Sequence, residues 1–218
     1  MSVRPILLSV IVLLLAAACS GTGGSTPARQ PGTSSATTAS IDPALVTPEY
    51  VASLPRDQAQ AAMSSLTQRY LRLAMDPCPG VADDCLSKQL EASLDQSGEL
   101  AALCKVNGTG KEYHVCLLSA PVTVPMVTAA GGNPATDIDW SDVDSTNNAA
   151  RKQFLEFIVK EKCGKDVDCI VEQAATLLGL SPAVAESCQR HASPSDQMNC
   201  VSDAQDAEVL QRAIKSFS

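Results

Sequence analysis

The chain has 218 residues and a formal net charge of −8, and 45% of its residues are apolar although only 3% are aromatic. A net acidic protein repels the phosphates of nucleic acids and anionic lipid headgroups, so we expect no nucleic-acid partner. With so few aromatic residues, any core must be built from Leu, Val, Ala and Met, and the nine cysteines become the most informative residues.

Residues 1–18 have the layout of a secretory signal peptide. One positive side chain, Arg4, precedes a nearly unbroken apolar run from Ile6 to Ala18. This run is shorter than the about 20 residues that a membrane-spanning helix needs, and it ends in small residues. We therefore predict export and removal of residues 1–18.

The junction Ala16-Ala17-Ala18-Cys19 resembles the lipobox of bacterial lipoprotein precursors. Here Ala16 stands where that motif usually has Leu, Val or Ile. The resemblance implies that Cys19 receives a diacylglycerol, becomes the N terminus and anchors the protein to a membrane. Ser20 and Gly21, with no Asp beside the anchor, resemble the pattern for outer-membrane sorting if the source is Gram-negative. Ordinary cleavage after Ala18 is the alternative, but it would leave an odd, exposed thiol.

After Cys19, residues 20–40 are almost entirely Ser, Thr, Gly, Ala and Pro. Such a composition cannot bury apolar surface. We predict a flexible tether over residues 19–40.

The remaining eight cysteines form two sets with nearly the same spacing. Cys85, Cys104 and Cys116 are followed 84 residues later by Cys169, Cys188 and Cys200, and only the first members, Cys78 and Cys163, differ by one place. The apolar segment 70–75 recurs at 154–159 with the same offset. This spacing indicates an internal repeat.

Each repeat reads as helical, because apolar residues recur at spacings of three and four. We predict an all-α body of two disulfide-braced units, 41–128 and 145–218, joined by an acidic linker over 129–144. The units either pack together or form adjacent subdomains. Short helices are expected at 84–94 and 166–178, and Pro121 and Pro125 predict an extended or irregular segment over 122–128.

Two disulfide arrangements fit the spacing. The favoured one is sequential, because Gly110 and Pro194 lie midway between cysteines whose helices would fold back on each other. The alternative is nested, with the second cysteine joined to the third and the first to the fourth. The sequential arrangement pairs Cys78 with Cys85, Cys104 with Cys116, Cys163 with Cys169, and Cys188 with Cys200.

The acidic linker contains the one candidate metal site. Asp137, Asp139, Asp142 and Asp144 alternate with other residues, as in a calcium loop, but Asp142 stands where the loop requires Gly. We favour the alternative, that these acids stabilise the start of a helix, with Ser141 and Asp144 forming a capping box. Trp140 is expected to hold the linker against a unit rather than to bind a partner.

The two histidines, His114 and His191, occupy different positions in the two repeats, and we expect both in exposed turns. No nucleophile or zinc motif accompanies them. We therefore expect no catalytic residue and no cofactor.

The function predicted is a non-enzymatic envelope module that binds a protein partner. Its alternatives are a small-ligand or lipid carrier with an interhelical cavity, and an inhibitor of a basic secreted hydrolase. The oligomeric state is left open.

Overall fold

The computed structural model describes residues 42–78, 80, 83–95, 97–108 and 110–217. The predicted signal peptide, the predicted anchor Cys19 and the predicted tether lie outside the described residues. Within them the chain is helical and contains no strand, so the all-α prediction is confirmed. None of the helices described is long and apolar enough to cross a membrane.

The described residues of the first half of the body form five α-helices. They are α1 (Pro48–Ser53), α2 (Arg56–Met75), α3 (Asp83–Leu94), α4 (Glu99–Cys104) and α5 (Lys111–Ala129). The Thr47 side chain caps α1 by accepting the Tyr50 N–H, and Pro55 directly precedes α2. A positive φ of 79° at Gly98 separates α3 from α4, and glycine adopts this backbone geometry without the cost a side chain would impose.

Helix α5 corrects the prediction for residues 122–128, which are helical and not extended. Pro121 and Pro125 both lie inside α5. Neither has an N–H to donate to the carbonyl four residues earlier, so each costs the helix one hydrogen bond. The helix persists because tertiary packing outweighs this cost: Leu117, Ala120 and Val127 are fully buried.

The second half adds four helices. They are α6 (Val143–Ile158), α7 (Val167–Leu177), α8 (Pro182–Gln189) and α9 (Pro194–Lys215). A single π-helical turn, Val159–Cys163, extends α6. Side chains cap three of the starts, because Asp142, Asp166 and Ser193 each accept a backbone N–H from the first turn. The α6 cap is therefore Asp142, and the predicted pairing of Ser141 with Asp144 was wrong.

Helix bounds recur at the offset seen in the cysteines. Moved by 84 residues, α3, α4 and α5 fall within two residues of the bounds of α7, α8 and α9. Both halves thus have a long helix, two short helices and a long helix in order. Descent of the two halves from a duplication stays a prediction.

All eight body cysteines are paired. The bonds join Cys78 to Cys85, Cys104 to Cys116, Cys163 to Cys169 and Cys188 to Cys200. This is the sequential arrangement and excludes the nested one. Each bond closes a loop of 6 to 12 residues, for which chain entropy predicts about 2–3 kcal/mol of stabilisation.

The two predicted units, 41–128 and 145–218, do not form separate bodies, because residues 41–218 make one compact unit. Helix α9 is its centre and packs against α1, α2, α3, α5, α7 and α8. Its C-terminal residues Leu210 and Ile214 join the core of the first half. In return, Ala52 of α1 lies in the core of the second half. The two units are therefore packed together, because each contributes residues to the core of the other.

Candidate ligand-binding cleft

An open cleft of about 320 Å³ lies where α3, α5 and α9 meet. We name it the proline cleft, because Pro121 and Pro125 form part of its lining. Its volume falls at the small end of the range for ligand pockets, about 300–1,000 Å³. A small molecule or the end of a chain fits such a space, whereas a folded partner does not.

One wall comes from α5. Pro121, Val124 and Pro125 are spaced by three and four residues, so they share one face of the helix. Because Pro125 has no N–H, the carbonyl of Pro121 lacks its usual helical donor. This wall of the cleft is therefore mainly apolar.

The opposite side follows the turn between α3 and α4. Leu94 and Leu100 contribute apolar surface, and Asp95 lies between them with only 8% of its surface exposed. The Asp95 carboxylate accepts the Ala101 N–H at 2.6 Å through Oδ2 and the Ser97 hydroxyl at 3.2 Å through Oδ1. These bonds fix a nearly buried negative charge at the cleft.

Helix α9 supplies the third side. Val209, Arg212 and Ala213 line the cleft. The Arg212 side chain is 66% exposed, and its ion pair, at 3.9 Å, is with Glu208 one turn earlier. Asp95 and Arg212 thus bring opposite charges to the same apolar cleft. They do not pair with each other, because Arg212 pairs with Glu208 and Asp95 accepts from Ser97 and Ala101.

Helix α9 also carries two aspartates with raised pKa values, Asp203 and Asp206. Burial raises the pKa of Asp203 to about 6, against the opposing effect of the positive charges of Arg56, Arg151 and His191. Burial also raises the pKa of Asp206 to about 7; the Arg151 charge opposes this increase, whereas the negative charge of Asp203 adds to it. Neither aspartate lines the proline cleft. We call these two residues the acidic pair.

Three buried polar atoms on α9 have no hydrogen-bond partner. They are Gln197 Oε1, Ser202 Oγ and Gln205 Oε1. The Gln205 amide nitrogen does donate, to the Val122 carbonyl at 3.1 Å. Burying an unpaired acceptor costs about 1–3 kcal/mol, so this central helix carries a polar cost that the surrounding apolar packing offsets.

The predicted acidic segment is used for local capping. Asp137 accepts the Asn133 N–H and the Thr136 hydroxyl, and these bonds lower its pKa. Asp139 accepts from Ser141 in the same way, which lowers the Asp139 pKa. Across the described part of the chain no three His, Cys, Asp or Glu side chains are placed to hold a metal ion, so Asp137, Asp139, Asp142 and Asp144 are not gathered into a site.

Trp140 is 4% exposed and belongs to the core of the first half. Its indole donates to the Pro134 carbonyl at 2.8 Å, and its own carbonyl accepts from the Asn107 amide at 2.8 Å. It therefore holds the linker against the first half, as the sequence indicated.

The histidines depart from the prediction of exposed turns. His114 lies inside α5, is 6% exposed and shares a hydrogen bond of 2.8 Å with the Ser87 hydroxyl. His191 lies between α8 and α9, half-buried, with its Nε2 3.3 Å from the Ala52 carbonyl. The first error arose because α5 begins directly after Gly110, so His114 falls within its first two turns and faces α3.

Sequence reasoning missed both the proline cleft and the acidic pair. The only local signal for the cleft was the i, i+4 spacing of Pro121 and Pro125, which indicated a broken helix. The signal for the acidic pair was the i, i+3 spacing of Asp203 and Asp206 within an apolar stripe.

Comparison of the chain with protein-family models, with curated proteins and with solved structures found no match in any of the three.

Proposed function

We propose that this chain is an exported, lipid-anchored and non-enzymatic binding module of a bacterial envelope, and that it takes a small ligand in the proline cleft. The observation that carries the proposal is the open cleft itself: apolar side chains from four helices line it beside one nearly buried carboxylate and one exposed guanidinium, and an apolar lining with few polar groups is common in ligand sites. Four disulfides suit an oxidising compartment outside the cytoplasm.

A carrier of long acyl chains is less well supported. The large side chains at the centre, among them Met63, Leu66, Tyr70, Leu90 and Leu117, are at most 2% exposed and fill the interior. The proline cleft is open and about 320 Å³ in volume. A small polar ligand suits these dimensions better than a lipid tail.

Blocking the cleft tests the proposal. In Val124→Trp an indole would occupy the space between α5 and α9. In the control, Val106→Trp, the indole stands on a valine that is 63% exposed and does not line the cleft. Amino acids, dipeptides, sugars and short fatty acids would be tested on the full-length chain by saturation-transfer NMR. Binding that Val124→Trp abolishes and Val106→Trp retains supports the proposal. If no probe shows this difference, the proposal is wrong.

A further inference from the structure

We infer that the ligand of the proline cleft is a small zwitterion with an apolar body, of the kind represented by an apolar α-amino acid or a dipeptide. This inference rests on the proposed function, because it names the ligand class of the same cleft.

Two residues of opposite charge, Asp95 and Arg212, line the proline cleft. Asp95 and Arg212 line one cleft of about 320 Å³ but belong to different elements, the turn after α3 and helix α9, 117 positions apart in the sequence. Neither neutralises the other, because Arg212 pairs with Glu208 and Asp95 accepts from Ser97 and Ala101. A ligand with one positive and one negative end matches both.

Both charged side chains can form hydrogen bonds beyond those that they already make. An ionised carboxylate accepts about four hydrogen bonds, and Asp95 has one partner on each oxygen. It can therefore take further N–H donors from a ligand ammonium group. Arg212 has five N–H donors in a planar fork, and its contact with Glu208 uses one nitrogen at 3.9 Å. A ligand carboxylate could bind this fork through two parallel bonds.

Apolar surface makes up much of the remaining lining of the cleft. Leu94, Leu100, Val124 and the rings of Pro121 and Pro125 line the cleft. An aliphatic side chain would bury its surface there, as in most small-molecule sites. A fatty acid would satisfy Arg212 but leave Asp95 without a new donor. A polyamine would satisfy Asp95 but place positive charge beside Arg212.

The nearly complete burial of Asp95 shows that this charge is built into the fold. It is 8% exposed and is held by a backbone N–H of α4 at 2.6 Å. A carboxylate fixed in this way is already oriented before a ligand arrives, which reduces the ordering cost of binding.

Ligand analogues test the inference without changing the protein. L-Leucine and glycyl-L-leucine would be titrated into the full-length chain by calorimetry. N-acetyl-L-leucine, which has no ammonium group, and L-leucinamide, which has no carboxylate, would be titrated in parallel. We expect at least one zwitterion to bind and both analogues of leucine to bind about ten-fold more weakly or not at all, since each loses a charge-assisted hydrogen bond.

The protein variant is Arg212→Gln, with Arg72→Gln as the matched control, because Arg72 is exposed on α2 and does not line the cleft. Arg212→Gln should weaken zwitterion binding about ten-fold and Arg72→Gln should not. Circular dichroism of both variants would verify their folding. Equal binding of leucine and its analogues, or no binding of either zwitterion at millimolar concentration, would overturn the inference. Should an uncharged or singly charged probe bind instead, and Val124→Trp abolish it, the proposed function stands and the zwitterion assignment falls.

Discussion

Asp206 follows Asp203 by three residues on α9, and the negative charge of Asp203 helps to raise the pKa of Asp206 to about 7. Residues three apart share a helix face, so the two carboxyls repel each other when both are ionised. Burial is the larger cause of the high pKa of each. Ionisation of the acidic pair therefore destabilises the folded protein, so its stability depends on pH.

This arrangement makes the protein less stable as the pH rises from 5 to 8. The folded-state pKa values, about 6 and about 7, lie above the ordinary value of 3.8. The folded chain therefore binds these protons more tightly than the unfolded chain. The stabilisation is complete below about pH 4 and is lost as the pH rises through 6 and 7. Because both side chains keep some contact with solvent, we expect a loss of about 2 kcal/mol.

Urea unfolding at pH 5 and pH 8 measures this loss. Asp206→Asn should raise the free energy of unfolding at pH 8 by about 1–2 kcal/mol and reduce the difference between the two pH values. Asp144→Asn is the control, because Asp144 is exposed in the first turn of α6. A wild-type protein that is as stable at pH 8 as at pH 5 would contradict the prediction.

The four disulfides should differ in how much they stabilise the fold. Cys188 and Cys200 are 0% and 6% exposed in the core of the second half, whereas Cys163 and Cys169 lie half-buried near its edge. Replacing the first pair by alanine loses the loop constraint and leaves a cavity, so we expect about 4 kcal/mol. Replacing the second pair should cost about 2 kcal/mol. The two double variants, compared by urea unfolding, check the order; equal losses would refute it.

Most helices were predictable because their signals are local. The predicted helices 84–94 and 166–178 differ from α3 and α7 by one residue at most at each end. The sequential disulfides were predictable for the same reason, since both cysteines of each pair flank one turn. In each case the deciding residues lie within about a dozen positions of one another.

The errors arose where distant packing decides the outcome. Local chemistry at Pro121 and Pro125 opposes a helix, and only burial of neighbours such as Leu117 and Val127 overrides it. His114 was predicted to be exposed because its partner, Ser87, lies 27 positions away. The proline cleft places Asp95 and Arg212 in one lining although they lie 117 positions apart, and no local pattern encodes the helix packing that does so.

The Tyr70–Ser93 hydrogen bond offers a test of how the core handles a polar atom. Tyr70 is fully buried, and its hydroxyl is 2.9 Å from the Ser93 hydroxyl. Burial raises the pKa of Tyr70, so its phenol hydroxyl stays protonated. The Ser93 hydroxyl also contacts the Gln89 carbonyl at 2.8 Å and keeps that bond if Tyr70 loses its hydroxyl.

Ser93→Ala should therefore cost more than Tyr70→Phe. The alanine variant leaves a buried phenol without its partner, at about 1–3 kcal/mol, whereas the phenylalanine variant should cost about 1 kcal/mol or less. The double variant should be no less stable than Ser93→Ala alone, because it removes the unpaired group. Chemical unfolding of the three variants provides the double-mutant cycle. A larger loss for Tyr70→Phe than for Ser93→Ala would contradict this account.

The predicted anchor at Cys19 can be tested apart from the body. Cys19→Ser removes the thiol that would carry the diacylglycerol and leaves the eight paired cysteines untouched. An acyl anchor contributes about 0.8 kcal/mol for each buried methylene, so its loss should release the protein from membranes into the soluble fraction. Cell fractionation and metabolic labelling with a fatty acid measure this, with Ser20→Ala as the control. If Cys19→Ser stays with the membranes, lipidation is not what holds the protein there.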